Sequence, residues 1–259
     1  MALLESLFRW LHVFAGIVWI GHLYFFNFVN GPFAGTMDGD TKKKVVPELM
    51  PRALFWFRWG AAWTWITGVL LLLLVFYHGG ILFNDMGSFG APAFVMIAVT
   101  FLGVFIYDAL MKSPLGKNPK IVAVGGVILV GGVICAMANW ADFSYRGFNI
   151  HVGSMFGTMM AFNVWFRIWP AQQKIITAVK GGQAPDAAWV SLAGTRSRHN
   201  TYLSVPLLWT MINAHTSYFA GGNLGITDRS AGIVMLAVIA LGWHIVWLCY
   251  KKAGKVKGF

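Results

Sequence analysis

Apolar residues run along this chain in long windows bounded by clusters of charge, glycine and proline. Windows of about 20 apolar residues fit helices that cross a hydrocarbon core. Seven are predicted, at about 4 to 29, 53 to 77, 91 to 111, 120 to 138, 148 to 169, 200 to 219 and 231 to 250. The second is the plainest: Leu70 to Val75 is unbroken, Trp56, Trp59, Trp63 and Trp65 lie near its start, and Tyr77 closes it. Aromatic ends suit the two membrane interfaces. The first window lacks the charged leader and small-residue cleavage site of a signal peptide, so it reads as a retained helix.

Composition agrees with the pattern. Of 259 residues, 58% are hydrophobic and 11% charged, which no soluble domain of this size would carry. The expected fold is an all-α integral membrane protein, a single domain over residues 1–259 built as a bundle of seven transmembrane helices.

Net charge is +11. Nucleic acid is not the implied partner, because the basic residues lie almost wholly between apolar windows and set topology in the lipid bilayer. The first, third and fifth connections and the tail hold sixteen lysines and arginines; the second, fourth and sixth hold Arg146 and Arg229. That asymmetry predicts an outer N-terminus and a cytoplasmic C-terminus, in a bacterial inner membrane. The two cysteines, Cys135 and Cys249, have neither a disulfide nor a metal-site spacing.

The fifth connection, about Pro170 to Arg198, is the one long loop expected. Its start, Ala171 to Lys180, reads as an amphipathic surface helix ended by Gly181, Gly182 and Pro185. No fixed-period repeat or inverted pair of broken helices points to a transporter. Gly125, Gly126, Gly131 and Gly132 in the fourth span and Gly153, Gly157 and Ala161 in the fifth fall at helix-contact spacing, which would also leave room for a flat macrocycle.

Histidine inside a bilayer is costly enough to need a partner, a cavity or a cofactor. At about 1.5 Å per residue, His12 lies roughly 12 Å below the outer surface, and His151 and His215 about 6 Å below it. His78 is at the outer mouth of the second span. His22 and His244 lie deeper, and His199 stands at the cytoplasmic entrance of the sixth span. Side chains from facing helices at matched depth hold cofactors in bundles, and heme iron accepts imidazole on both faces. His12 with His151 or His215 meets that condition; His22 and His244 form a conceivable inner group. No acid or thiolate joins the outer histidines to complete a zinc or copper site. Arg9, one turn outward from His12, could pair with a heme propionate or snorkel to the headgroups.

Several strings are more specific. Arg9-Trp10-Leu11-His12-Val13 with Gly16 to Gly21, Tyr107-Asp108 with Lys112 to Gly116, His151-Val152-Gly153, Gly182 to Asp186, and Arg198-His199-Asn200 with Tyr202 and Asn213-Ala214-His215 occur in order. Together they resemble the membrane domain of the cytochrome c linked, membrane-integral urate oxidases. The first helix is also similar to that of the four-helix, heme b membrane protoporphyrinogen oxidases, a likeness that bears on His12 as an iron ligand.

The urate oxidase resemblance supports His12, His151, His199 and His215, and not His22, His78 or His244. It implies an eighth helix leading to a cytochrome c domain. Here the sequence ends at Phe259, so a separate periplasmic c-type cytochrome is the expected electron acceptor. The leading expectation is a heme b oxidoreductase that passes electrons from a purine to that cytochrome. Urate is an anion, for which Arg196 and Arg198 would supply charge and His199 a base, although positive-inside topology also accounts for both arginines. The rival is a heme-bearing or structural subunit of a larger respiratory or photosynthetic electron-transfer complex; a porphyrin-handling protein is a third reading.

Overall fold

Helix α1 (Ala2–Tyr24) continues through a π-helical turn at Phe25–Asn30 into α2 (Gly31–Thr36), and extended backbone at Met37 ends the run. Asp38 then starts the next helix: its carboxylate accepts from the Thr41 N–H at 2.8 Å and the Thr41 hydroxyl at 3.0 Å. Those bonds, the backbone one foremost, hold its carboxyl below the ordinary range. Helix α3 (Gly39–Leu71) contains Pro47 and Pro51 and passes into a second π-helical turn, Leu72–His78. The computed structural model describes residues 1–84, 87–214 and 228–256.

Helix α4 (Ala91–Lys112) and a short 3-10 turn (Pro114–Lys117) lead to α5 (Pro119–Asn139). The Asn118 side chain caps α5 by accepting from the N–H groups of Lys120 and Ile121. Helix α6 (Tyr145–Asn163) runs through a third π-helical turn, Val164–Ile168, into α7 (Trp169–Lys180). Helices α8 (Ala187–Asn213) and α9 (Asp228–Ala253) complete the described chain. Among the described residues no strand forms; a single bridge pairs Phe83 with Phe143.

Two expected loops are largely helical. The first connection, expected to hold the lysines before Arg52, is occupied by α2 and the opening turns of α3, leaving Met37 and Asp38 outside helix. The long fifth connection shrinks to residues 181–186, because α7 continues α6 directly and α8 starts at Ala187. Apolar windows mark where a helix meets lipid; backbone hydrogen bonding carries it beyond them into water. The amphipathic segment is helical as expected, but as a continuation of α6 and not a separate surface piece.

Among the described residues five helical runs are long and apolar enough to cross a membrane: Ala2–Thr36, Gly39–His78, Ala91–Lys112, Pro119–Asn139 and Ser230–Ala253. Helices α6 and α8 are more polar, and the polarity faces inward. Of the fourteen buried polar residues among those described, four (Asn149, His151, Thr158, Asn163) lie on α6 and six (Arg196, Asn200, Thr201, Ser204, Thr210, Asn213) on α8.

The chain divides into two compact units, one of Met1–Gly68, Met160–Ser204 and Trp243–Phe259, the other of Val69–Met159 and Val205–Gly242. In the first, a Cβ on Gly60 would stand 3.0 Å from the Trp19 nitrogen and 3.3 Å from the Ala15 oxygen, so glycine there lets α3 lie directly on α1. In the second, a Cβ on Gly153 would collide with Thr210, which draws α6 against α8. Gly131 meets Leu236 and Gly232 meets Ile134, joining α5 to α9, while Gly125 and Gly132 have open space beside them. Asp108 and Lys112 pair at 2.8 Å along α4, the local pair that their spacing predicts.

Candidate functional site

His12 is held against α3 within the first unit. Its Nδ1 lies 2.9 Å from the Thr64 carbonyl oxygen and 3.2 Å from the Thr67 hydroxyl. A carbonyl can only accept, so Nδ1 carries the hydrogen and, in the neutral ring, Nε2 has the lone pair. Gly68 makes the fit possible: a Cβ there would be 2.9 Å from His12 Cε1. Arg9, expected to face a propionate or the headgroups, binds Glu5 through Nε at 2.9 Å and a terminal nitrogen at 2.7 Å. The partner is an acid one turn away on its own helix.

His151, in the second unit, is fully buried. Its Nδ1 donates to the Gly147 carbonyl at 2.7 Å, and the Tyr77 hydroxyl lies 2.9 Å from Nε2. The same tautomer results, with Tyr77 donating to the lone pair. The Phe143 ring packs on the imidazole at 4.9 Å between centroids. His215 lies outside the described residues, and His78 is exposed at the end of its π-helical turn.

The inner pair is not drawn together by any bond or ring contact among the described residues. His22 donates from Nδ1 to the Val18 carbonyl at 2.7 Å and lines an open groove of about 470 Å³ with Gly21, Phe25, Arg52 and Trp56. His244 packs on Trp247, three residues along its own helix. Among the described residues no three His, Cys, Asp or Glu side chains converge as a metal site.

The three residues expected to handle an anion separate on α8. Arg196 is buried, with a guanidinium nitrogen 3.5 Å from the Asn163 side-chain oxygen. Asn163 donates to Asn200 at 2.8 Å, and Asn200 donates to the Met160 carbonyl at 2.9 Å. Arg198 is exposed, with its guanidinium over the Tyr250 ring, and His199 is half-buried. Residues three or four apart share a helix face and residues two apart do not, so Arg196 groups with His199 and Asn200, and Arg198 with Tyr202.

A polar network beside Arg198 escaped the sequence reading. Tyr250 donates to Asn27 at 2.7 Å, Asn27 donates to Ser197 at 2.8 Å, and Tyr24 pairs with Ser204 at 3.0 Å. Tyr202 stacks on Tyr250. Its signal was available in Asn27 and Tyr250, polar groups inside apolar windows. Tyr77 gave no such signal, since an aromatic at the end of a span reads as an interface anchor.

The arrangement offers a half-buried imidazole, His12, with its hydrogen on Nδ1, a fully buried one, His151, whose Nε2 accepts from Tyr77, and, on different faces of α8, an accessible guanidinium and a half-buried histidine. No curated protein and no solved structure matches the chain. A family model described as urate oxidase N-terminal matches residues 33–256, which takes in His151, His199 and His215 and leaves His12 outside. With most of its length under that one model, this membrane protein belongs to the urate oxidase N-terminal family.

Proposed function

We propose that the chain is the seven-span membrane domain of a heme b oxidoreductase of the urate oxidase type, which takes electrons from a purine and hands them to a separate c-type cytochrome. The observation that carries this reading is the family match over residues 33–256. In this reading α6 and α8 join the five apolar runs as spans, with the N-terminus outside and the C-terminus in the cytoplasm of a bacterial inner membrane.

The residues fit a heme. His12 and His151 each anchor Nδ1 on a carbonyl, the bond that orients a ligating imidazole; at His151 iron would have to displace the Tyr77 hydroxyl from Nε2. The residues that would hold the heme iron are among His12, His151 and His215. Bound heme would supply a one-electron relay between a two-electron donor and a one-electron acceptor. The chain's own part is substrate handling: Arg198 pairs with the urate anion, His199 accepts a proton as the purine is oxidised, and the buried Arg196–Asn163–Asn200 cluster fixes the helix that carries both.

A second reading, a non-catalytic heme-bearing or structural subunit of an electron-transfer complex, is favoured by one observation. Tyr77 already satisfies His151 Nε2. Purified protein, its reduced spectrum and a urate assay with soluble cytochrome c separate the two. A b-type spectrum with urate-dependent cytochrome reduction is expected; heme without turnover favours the subunit, and a colourless protein defeats both.

A further inference from the structure

Helix α3 carries a cation with no counter-charge. Arg58 lies near the start of the second apolar window, and among the described residues no acid pairs with it. Its guanidinium stands in an aromatic corner instead: the central carbon is 3.9 Å from the centroid of the Trp169 ring and 5.8 Å from those of Phe55 and Trp165. Ring faces stabilise the charge but supply no oxygen for the N–H groups. The Nε, shut off from solvent, has no hydrogen-bond partner among the described residues. A charge that nothing neutralises is costly inside a bilayer, and an arginine in that position has room for an anion.

The corner is fixed by its own packing. Trp165 donates from Nε1 to the Arg58 carbonyl at 3.0 Å, and its ring meets Trp59 edge-on at 5.5 Å, which ties the π-helical turn at Val164–Ile168 to α3. Neither that turn nor the first turn of α7 carries an acid. Arg52, one and a half turns earlier on α3, is exposed and paired with Glu48 at 2.6 Å.

Depth points to the kind of anion. Trp169 ends the fifth apolar window, and Arg58 meets it from the start of the second, so the guanidinium stands where two windows reach the membrane interface. Lipid phosphates lie at that level. Arg58 itself is half-buried, and Phe55, Trp59 and Phe166 beside it are exposed, an apolar surface on which acyl chains can lie.

We propose that Arg58, held by Trp165 and Trp169, binds the phosphodiester of an anionic phospholipid; that the lipid belongs to the cytoplasmic leaflet rests on the topology proposed above. Every phospholipid has the phosphate. The anionic class follows from the rings, because a choline or ethanolamine headgroup brings an ammonium, and the Trp169 face that would receive it is already under the guanidinium. The site is independent of heme and of purine.

The test is native mass spectrometry of the full chain in detergent, with phosphatidylglycerol or phosphatidylcholine of the same acyl chains as the probe. Wild type is expected to bind one phosphatidylglycerol about tenfold tighter than phosphatidylcholine, the value of a charge-assisted bond. Arg58→Met, which keeps a long side chain on Trp169 without the charge, and Arg58→Gln should bring the two lipids close to equal affinity. Arg52→Gln should leave the preference intact. Phosphatidylcholine binding, unchanged in the Arg58 variants, reports that they fold; if neither folds, Trp169→Leu is read in their place, and the preference should fall several-fold. A preference that survives these substitutions overturns the proposal, as does one absent from wild type. So does an equal loss in Arg52→Gln, which would make the attraction a property of the charged face at large. Displacement of phosphatidylglycerol by millimolar glycerol phosphate also overturns it, since the site then takes a free anion.

Discussion

The Tyr77 hydroxyl lies 2.9 Å from His151 Nε2, the one nitrogen of that buried ring with a lone pair to give. In the proposed heme protein, iron and phenol would compete for it. Removing the hydroxyl therefore favours iron: Tyr77→Phe is expected to bind hemin at least as tightly as wild type, while the heme-free protein loses about 1 kcal/mol of stability with the hydrogen bond. Hemin titration and thermal unfolding in detergent read both. A Tyr77→Phe protein that no longer binds hemin removes His151 from the axial set.

His12 and His151 are expected to behave unlike His78. Replacing an axial imidazole by Ala should turn a low-spin heme high-spin or release it, whereas His78→Ala, at an exposed position, should do neither. Absorption spectra of the oxidised and reduced proteins decide. Normal low-spin spectra in both His12→Ala and His151→Ala would move the search to His22 and His244.

The two arginines of α8 should separate in kinetics. Arg198→Gln, altering an exposed group, is expected to raise the KM for urate several-fold with folding intact. Arg196→Gln disturbs a buried cluster, and its expected effect is a loss of stability of roughly 2 kcal/mol or more. Equal KM effects from both variants, with equal stability, would return them to one site.

Asp108 and Lys112 offer a bland expectation. The carboxylate is buried and the ammonium largely exposed, so Asp108→Asn should cost about 1 kcal/mol and spare heme and turnover. Loss of heme in a folded Asp108→Asn protein would give the pair a functional role.

Topology is open to a direct check. A reporter fused after Phe259 should be active only in the cytoplasm, and one inserted at Gly80 only outside. The opposite pattern at one site alone would mean a span count other than seven, and at both sites an inverted bundle.

The long helices were legible because the bilayer demands apolar windows: α4 and α5 fall within a residue of the windows at 91 to 111 and 120 to 138. The start of α8 was not, since Ala187 to His199 is too polar for such a window and helical hydrogen bonding does not depend on polarity. The Arg9–Glu5 pair is legible in its four-residue spacing. Tyr77 and His151 are 74 residues apart, and nothing local in either stretch names the other. The division of Arg196 from Arg198 follows from the turn of a helix, once the segment is known to be one.

The π-helical turn at Leu72–His78 makes one register in this chain unusually fragile. Such a turn accommodates an extra residue without breaking the helix, so whatever follows is rotated by about 100° from where an unbroken α-helix would aim it. Tyr77 is aimed by that offset. Deleting a single leucine between Leu72 and Leu74 would let the run relax to α geometry with every backbone bond kept, and would swing the phenol away from His151. A helical wheel drawn straight through from Gly39 puts Tyr77 on the wrong side, and aligning relatives without a gap there would do the same.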